Sequence, residues 1–535
     1  MEPGEERRFE RLSPFELKDM LVRLAARRSE RMMLNAGRGN PNWLALAPRH
    51  GFMQLLRFAL EESGRVMFAP GMGGLVRGDL TQRFADFSAR NEKEAGIDFL
   101  CRGLDYAVSE LDLERSRLLR ELVEAALGCR YPWPDRMLQG CERIVHALLE
   151  RELFGNDAAA GRFDLFAVEG ATAGITYIFN SLAEARLLNK GDRIALGVPI
   201  FSPYLEVPRL NDYELTEIEV SQDETRGWQY PAQEIDKLRD PSIRAFFVVN
   251  PSNPTSVRID DESLERIARL VRDERPDLVI ITDDVYATFA RGFRSLAAVA
   301  PRNTILVYSF SKYWGTTGWR LGVVGMHEDS ALDQRLREMP EAVREAHRRR
   351  YGSIALDPAS LKLIDRMVAD SRAVGLNHTA GLSTPQQAQM ALTALHGLLD
   401  SDHAYRDTAR GVVKRRFEAL YAAAGLAVPD DGHEVYYYAT LDMPALARER
   451  YGEALARWLV DTFEPIDFVV RLAEEKSIVL LDGGGFDAPK MSVRVSLANL
   501  MEADYARIGS EISRLLADYH GRWRAASRAV TPTPP

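Results

Sequence analysis

A series of short apolar runs between residues 163 and 324 constrains the fold most. They are Leu165–Val168, Arg193–Leu196, Ala245–Val249, Leu278–Ile281 and Thr304–Val307, and stretches of helical periodicity separate them. Runs of this length predict buried β-strands. Strands that alternate with helices pair in parallel through right-handed crossovers, so we expect an α/β protein whose mostly parallel sheet is flanked by helices. Ligands of such sheets bind at the carboxyl ends of the strands.

Lys312 stands where the last of these strands opens into a loop of small residues, Ser309–Gly322. An amine that forms an imine with a carbonyl cofactor reacts as the neutral base, and an anchored, partly desolvated place near other cations favours that form. The small residues let the backbone approach a phosphate, which Arg320 can hold bidentately. Taken alone, the stretch is also compatible with an ordinary surface loop.

Further residues at strand ends fit pyridoxal 5′-phosphate. Asp283 can pair with a protonated pyridine nitrogen, which keeps the ring cationic and makes it an electron sink. Tyr286 and Asn253 can hydrogen-bond the ring phenolate oxygen. The segment Gly170, Ala171 and Thr172 opens a helix, where free N–H groups favour a phosphate. Phe201 can stack on the ring, and Arg494 suits an α-carboxylate.

Each of these residues also has a structural alternative. Asp283 can cap the following segment, Asn253 can belong to a plain turn, Phe201 can be core, and Arg494 can lie on an edge strand. A shared site explains all of them in this order and at strand ends. The loop Leu34–Trp43, which holds Arg38 and Gly39, is either a glycine-rich turn or a clamp for an anionic substrate.

Composition excludes several classes of function. The 535 residues include 69 Lys and Arg against 78 Asp and Glu, a net charge of −9 that argues against nucleic-acid binding. No apolar run is long enough for a membrane helix, no signal peptide is visible, and the three cysteines form no CxxC pair, so we expect a cytoplasmic protein. The nine histidines lack the spacing of a metal site.

The motifs Asn-Pro-x-Asn-Pro-Thr, Asp-Asp-Val-Tyr, Ser-Phe-Ser-Lys and Gly-Trp-Arg-Leu-Gly occur in this order. The chain thereby resembles the fold-type I pyridoxal-phosphate aminotransferases of the aspartate aminotransferase group. The resemblance implies that Lys312 is the Schiff-base lysine, with Asp283 on the pyridine nitrogen and Arg494 on the substrate α-carboxylate. It assigns the ring to Phe201, Asn253 and Tyr286, and the phosphate to Arg320, Ser309, Ser311 and residues 170–172. Tyr131 resembles the tyrosine that reaches a neighbouring subunit's phosphate.

Within that group, the chain most resembles the enzymes that β-decarboxylate L-aspartate to L-alanine and CO2. The shared features are its greater length, its helical insertions, and the local sequences Asn-Ala-Gly-Arg-Gly-Asn-Pro-Asn-Trp, Tyr-Pro-x-Pro-Asp-Arg-Met-Leu and His-Thr-Ala-Gly-Leu-Ser-Thr-Pro-Gln-Gln. One departure is Ser256, where many members have glycine.

The resemblance implies a ketimine and enamine route, with aspartate aminotransferase side activity toward 2-oxoglutarate or pyruvate. Arg38 and Gly39, with Asn253 and Arg494, are the predicted substrate-binding residues, and Arg38 is expected to control the partition between the two reactions. A tightly held β-carboxylate would resist leaving. A plain aminotransferase and a non-enzymatic regulator with this fold are the alternatives.

The sequence divides into five segments. Residues 1–50 are expected to join the small domain, 51–130 to form a helical insertion, and 131–385 to form the large cofactor-binding domain with a second insertion at 328–376. Residues 386–520 are expected to form a smaller α+β domain and 521–535 a disordered tail. Sharing of sites through Tyr131 implies a homo-oligomer, at least a dimer and with larger assemblies built from dimers.

Overall fold

The computed structural model describes residues 3–10, 12–27, 32–66, 69–156, 160–219, 227–376 and 381–530. The described strands are β1 (Leu34–Asn35), β2 (Phe163–Val168), β3 (Arg193–Val198), β4 (Glu214–Glu219), β5 (Ile243–Val249), β6 (Val279–Asp283), β7 (Thr304–Ser309), β8 (Gly322–His327), β9 (Tyr438–Asp442), β10 (Ile478–Val479), β11 (Leu481–Asp482) and β12 (Ser492–Ser496).

The described α-helices are α1 (Pro3–Phe9), α2 (Pro14–Ala26), α3 (Leu46–Gly64), α4 (Thr81–Arg90), α5 (Ile97–Ser109), α6 (Arg115–Leu127), α7 (Gln139–Leu153), α8 (Ala171–Glu184), α9 (Pro203–Leu210), α10 (Ala232–Asp236), α11 (Asp261–Asp273), α12 (Leu296–Val299), α13 (Ala331–Glu338), α14 (Glu341–Tyr351), α15 (Leu363–Ser371), α16 (Thr384–Leu399), α17 (Ala404–Ala424), α18 (Met443–Tyr451), α19 (Glu453–Thr462), α20 (Asp467–Lys476) and α21 (Glu502–Val530). None of these described helices has the length and apolar character needed to cross a membrane.

The large sheet has seven strands in the order β2-β8-β7-β6-β5-β3-β4. Only β8 runs antiparallel to its neighbours, β2 and β7. The mostly parallel α/β sheet predicted from the apolar runs is therefore confirmed. Strands β4 and β8 were not among the predicted strands. Strand β4 is an edge strand with alternating polar residues, and β8 contains two glycines, so neither has a continuous apolar run.

Helices cover both faces of this sheet because successive strand residues point to opposite sides. Phe246 and Ile280 pack into a core with the apolar residues of α11, whereas Phe247 and Ile281 belong to the core on the other face. Helix α11 begins at a true cap, since the Asp260 carboxylate accepts a hydrogen bond from the Ser263 N–H at 2.7 Å.

The small domain contains the antiparallel sheet β11-β12-β9 and the closely packed helices α17 and α21. The N-terminal segment lies against it, because β1 pairs in parallel with β10 and α2 packs on α20. Helix α16 packs instead on α7 and on α3, α5 and α6 of the first helical insertion. We therefore propose that the small domain begins with α17, not at the predicted residue 386.

The chain's C-terminal segment differs from the prediction. Helix α21 continues to Val530, so the disordered tail predicted from residue 521 is wrong for residues 521–530. Trp523 explains part of the difference, because it is half-buried against the core and stacks on His520 with 5.8 Å between ring centroids. Residues 531–535 and residues 378–380 of the His-Thr-Ala-Gly motif lie outside the described residues.

Candidate active site

One cavity of about 170 Å³ lies at the carboxyl ends of β5, β6 and β7. The predicted residues that line it are Gly39, Ala171, Thr172, Phe201, Asn253, Asp283, Tyr286, Ser309, Ser311, Lys312, Arg320 and Arg494. The topology of the large sheet brings the carboxyl ends of β5, β6 and β7 to one edge. Gly39 comes from the N-terminal loop and Arg494 from β12 of the small domain. Tyr204, Val249, Val285, Thr317 and Tyr438 also line the cavity and were not predicted.

Lys312 projects from the turn that follows β7. Its Nζ donates a hydrogen bond to the Gly39 carbonyl at 3.1 Å, so the N-terminal loop holds the amine. Two threonine hydroxyls fix the turn: Thr316 Oγ1 donates to the Phe310 carbonyl at 2.7 Å and Thr317 Oγ1 to the Ser311 carbonyl at 3.2 Å. The lysine thus has a defined position in the wall of the cavity.

Asp283 ends β6 and is 3% exposed. Burial raises the pKa of its carboxyl group to about 6, while hydrogen bonds from Tyr204 and the Val285 N–H and the charge of Lys312 act in the opposite direction. The Tyr204 hydroxyl donates to Asp283 Oδ2 at 2.7 Å and the Val285 N–H to Oδ1 at 3.2 Å. A desolvated carboxylate with neutral donors on both oxygens fits a cationic ring nitrogen.

An anion-binding cradle lies at the start of α8. Gly170, which has φ +88°, is the N-cap of this helix, and the first turn has neither an acidic residue nor a side-chain cap. The Arg320 guanidinium donates to the Glu169 and Thr317 carbonyls, each at 2.9 Å, and a Cβ on Gly170 would overlap it. The hydroxyl groups of Ser309 and Ser311 are 2.9 Å apart at the same end. Free helix N–H groups, hydroxyls and a guanidinium together fit a phosphate.

Arg494 also lines the cavity and is 2% exposed. Its Nη1 donates to Asn253 Oδ1 at 3.1 Å and its Nη2 to the Gly37 carbonyl at 2.9 Å. Burial lowers the pKa of Arg494, and both of these acceptor oxygens are neutral. Its Nε is buried and has no hydrogen-bond partner among the described residues. A buried guanidinium that has only neutral hydrogen-bond partners and a free Nε is suited to bind a carboxylate.

Three predicted residues, Gly170, Arg38 and Tyr131, do not line the cavity. Gly170 lies beside it as the N-cap of α8. The Arg38 side chain is exposed. A hydrogen bond and the charge of Lys18 lower the pKa of Asp19 most, and the charges of Arg23 and then Arg38 lower it further. Only the neighbouring Gly39 faces the cavity, because the loop presents its backbone to Lys312 there. The predicted control of the reaction by Arg38 stays a prediction. Tyr131 is 70% exposed and is also outside the cavity of its own chain.

The unpredicted Tyr204 and Tyr438 are both nearly fully buried. Tyr204 lies in α9, three residues after Phe201, and its hydroxyl fixes Asp283. Tyr438 begins β9, and its hydroxyl is 2.8 Å from that of Tyr286. Tyr438 is the third of three consecutive tyrosines, Tyr436–Tyr438, so strand alternation alone did not single it out.

Comparisons with known proteins agree with this geometry. The sequence profile described as "Aminotransferase class I and II" matches residues 165–512. A bifunctional aspartate aminotransferase and L-aspartate beta-decarboxylase from Pseudomonas sp is 46% identical over 520 residues, which is 97% of this chain and 98% of that enzyme. The aspartate aminotransferase of Pyrococcus horikoshii is 27% identical over 229 residues, 41% of this chain and 55% of that protein.

A solved structure of aspartate aminotransferase from Thermus thermophilus with maleate has the same fold. Its TM-score is 0.56 at 17% identity, and the match covers 94% of this chain and 96% of that one. The profile match extends over more than half of the sequence, and the Pseudomonas relative matches nearly all of it. The chain is therefore a member of the class I and II aminotransferase family.

Proposed function

We propose that this protein uses pyridoxal 5′-phosphate to convert L-aspartate to L-alanine and CO2, with transamination of L-aspartate as a second activity. The likeness to the bifunctional Pseudomonas enzyme carries the proposal, because it extends over 97% of the chain at 46% identity. It therefore includes the helices α3–α6, which precede the segment matched by the general aminotransferase profile.

We propose a partner among the cavity residues for each part of the cofactor. When bound, pyridoxal phosphate supplies an electron sink for a carbanion formed at the Cα of an amino acid. Lys312 would hold its aldehyde carbon, and Asp283, fixed by Tyr204, its ring nitrogen. The other proposed cofactor contacts are Phe201 on the ring, Asn253 and Tyr286 at the phenolate oxygen, and Gly170, Ala171, Thr172, Ser309, Ser311 and Arg320 at the phosphate.

We assign the substrate α-carboxylate to Arg494, whose Nη1 already contacts Asn253. In this position the Lys312 amine can take the proton from the substrate Cα and return it. The Gly39 carbonyl accepts a hydrogen bond from Lys312 Nζ, which holds the loop Leu34–Trp43 against the lysine.

The charges in the cavity favour loss of the β-carboxylate. Among the described residues that line it, the cationic side chains are Lys312, Arg320 and Arg494. With Arg320 on the phosphate and Arg494 on the α-carboxylate, neither cavity arginine remains for the β-carboxylate. A carboxylate held loosely in the ground state leaves more readily as CO2, because less binding is lost in the transition state.

We also propose a homo-oligomer, with a dimer as the smallest unit. Tyr131 is 70% and Trp133 72% exposed on a single chain, and Tyr131 would reach the phosphate of a neighbouring site. Leu46, Met53 and Leu60, each more than half exposed, recur every seven residues along α3 and thus form one apolar helix face. This face suits contacts between dimers in a larger assembly. The cytoplasmic location stays a prediction.

The test of the activity uses purified protein saturated with pyridoxal phosphate. With L-aspartate and no keto acid, we expect sustained release of CO2 and L-alanine in equal amounts, and none from Lys312→Ala. With 2-oxoglutarate added, oxaloacetate is expected as a minor product. Oxaloacetate without CO2 would instead establish a plain aspartate aminotransferase and refute the decarboxylase.

Subunit sharing has a separate test. Lys312→Ala and Tyr131→Ala variants, each impaired alone, are mixed under conditions that allow subunits to exchange. Hybrid dimers contain one site with both residues intact if Tyr131 acts across the interface, so activity is expected to rise on mixing. Activity that stays at the mean of the two separate variants would contradict a shared site.

A further inference from the structure

Tyr438 contacts two residues that the proposed function uses. Its side chain is 2% exposed, and its hydroxyl lies 2.8 Å from the Tyr286 hydroxyl. Its ring faces the Arg494 guanidinium, with 4.4 Å between Cζ and the ring centroid. One phenol therefore touches both the side chain assigned to the cofactor phenolate and the side chain assigned to the substrate α-carboxylate.

The small-domain sheet sets this arrangement. In the β9–β12 ladder, Tyr438 lies opposite Ser496 and Thr440 opposite Arg494, so Tyr438 and Arg494 are diagonal neighbours on one face. The N-terminal loop closes over the phenol: a Cβ on Gly39 would lie only 2.5 Å from the Tyr438 hydroxyl. The ring has little freedom to move.

Ser256 ties the start of β9 to the large domain. Its Oγ accepts hydrogen bonds from the Tyr437 N–H at 2.8 Å and the Tyr438 N–H at 3.1 Å. Its carbonyl accepts a third from the Val435 N–H at 2.9 Å. Ser256 has φ +64°, a backbone conformation that glycine adopts without strain. Glycine at this position would lack the hydroxyl and therefore both hydrogen bonds to the start of β9.

We propose that Tyr438 is a positioning residue that acts through Tyr286 and Arg494, and that Ser256 positions Tyr438. A phenolate oxygen only accepts hydrogen bonds, so Tyr286 must donate its single proton to the cofactor oxygen. The Tyr286 oxygen then accepts the proton of Tyr438, and each hydrogen bond polarises the next. The ring of Tyr438 meanwhile fixes the guanidinium of Arg494 for the α-carboxylate.

The hydroxyl has a spectroscopic test that rests on the proposed cofactor contacts but needs no turnover. Holoenzyme is titrated with base, and the apparent pKa of the absorbance change of the bound cofactor is measured. Tyr438→Phe should raise that pKa by a few tenths of a unit, because weaker donation from Tyr286 stabilises the phenolate less. Tyr286→Phe should raise it further. Tyr436→Phe is the matched control, since its hydroxyl contacts the Pro429 carbonyl outside the cavity, and no shift is expected.

The Tyr438 ring is tested by the KM for L-aspartate, and Ser256 by the absorbance pKa. Tyr438→Leu should raise the KM for L-aspartate several-fold more than Tyr438→Phe does, because only the former removes the ring from Arg494. Ser256→Gly relieves the backbone and removes Oγ, so it should shift the absorbance pKa in the same direction as Tyr438→Phe. In the double variant with Tyr438→Phe it should add no further shift, since both changes act on one hydrogen bond.

Two results would overturn the proposal. If Tyr286→Phe shifts the absorbance pKa and Tyr438→Phe leaves it unchanged, Tyr438 does not act through Tyr286. If neither variant shifts it, the cofactor contact of Tyr286 is wrong and the proposal fails with it. A shift in an enzyme that releases no CO2 would support the positioning role and refute the decarboxylase, so the two failures are distinguishable.

Discussion

Asp283→Asn should stabilise the cofactor-free protein at pH 8 and destabilise the cofactor complex. Burial raises the pKa of Asp283 from 3.8 to about 6. The folded state therefore holds more protons than the unfolded state between pH 4 and pH 6, and the free energy of unfolding falls as pH rises through this window. At about 1.36 kcal/mol per pKa unit, the ionised carboxylate costs the apoprotein about 3 kcal/mol at pH 8.

Asparagine removes that charge but keeps only one of the two hydrogen bonds that the carboxylate accepts. The lost bond from either Tyr204 or Val285 costs about 1 kcal/mol, which leaves a net stabilisation of about 2 kcal/mol at pH 8. At pH 5 the net stabilisation by asparagine falls to less than about 1 kcal/mol, because Asp283 is protonated in much of the folded wild-type protein. With cofactor bound the order reverses, since asparagine cannot compensate a cationic ring nitrogen.

Thermal unfolding of both apoproteins measures this effect. For a chain of this length, about 2 kcal/mol corresponds to a rise of about 2 °C in the midpoint at pH 8. Asp461→Asn is the control, because Asp461 is exposed and the substitution should leave the midpoint unchanged at either pH. A difference between Asp283→Asn and wild type that is equal at pH 5 and pH 8 would refute the argument that the buried charge is responsible.

Three further substitutions test the geometry of the cavity. Gly39→Ala places a Cβ 2.5 Å from the Tyr438 hydroxyl, so kcat/KM for L-aspartate should fall by at least about tenfold; steady-state kinetics that match wild type would contradict this close approach. Gly170→Ala is strained at φ +88° and collides with Arg320, so titration should show weaker cofactor binding and a lowered phosphate affinity. Arg494→Lys loses the planar fork, and KM for L-aspartate should rise about 10- to 100-fold; an unchanged KM would place the α-carboxylate elsewhere.

The sequence determined the large domain and most of the cavity. A polar residue directly after a buried strand lies at the carboxyl end of that strand, and the carboxyl ends of parallel strands meet at the same side of the sheet. The sequence alone therefore predicted that Asp283 and Lys312 lie in one site. Arg494, on a predicted strand of the small domain, was also a candidate for a substrate carboxylate, and it lines the same cavity. Local pattern is sufficient here because each signal lies within a few residues of the strand that positions it.

Only the tertiary structure decided the rest. Tyr438 reaches the cavity through the β9–β12 register and the Ser256 hydrogen bonds, which join residues about 180 positions apart in the chain. Arg38 and Gly39 are adjacent in sequence, yet the loop turns one outward and the other toward Lys312. Side-chain direction in a loop depends on backbone contacts with distant segments, and no periodicity in the sequence records those contacts.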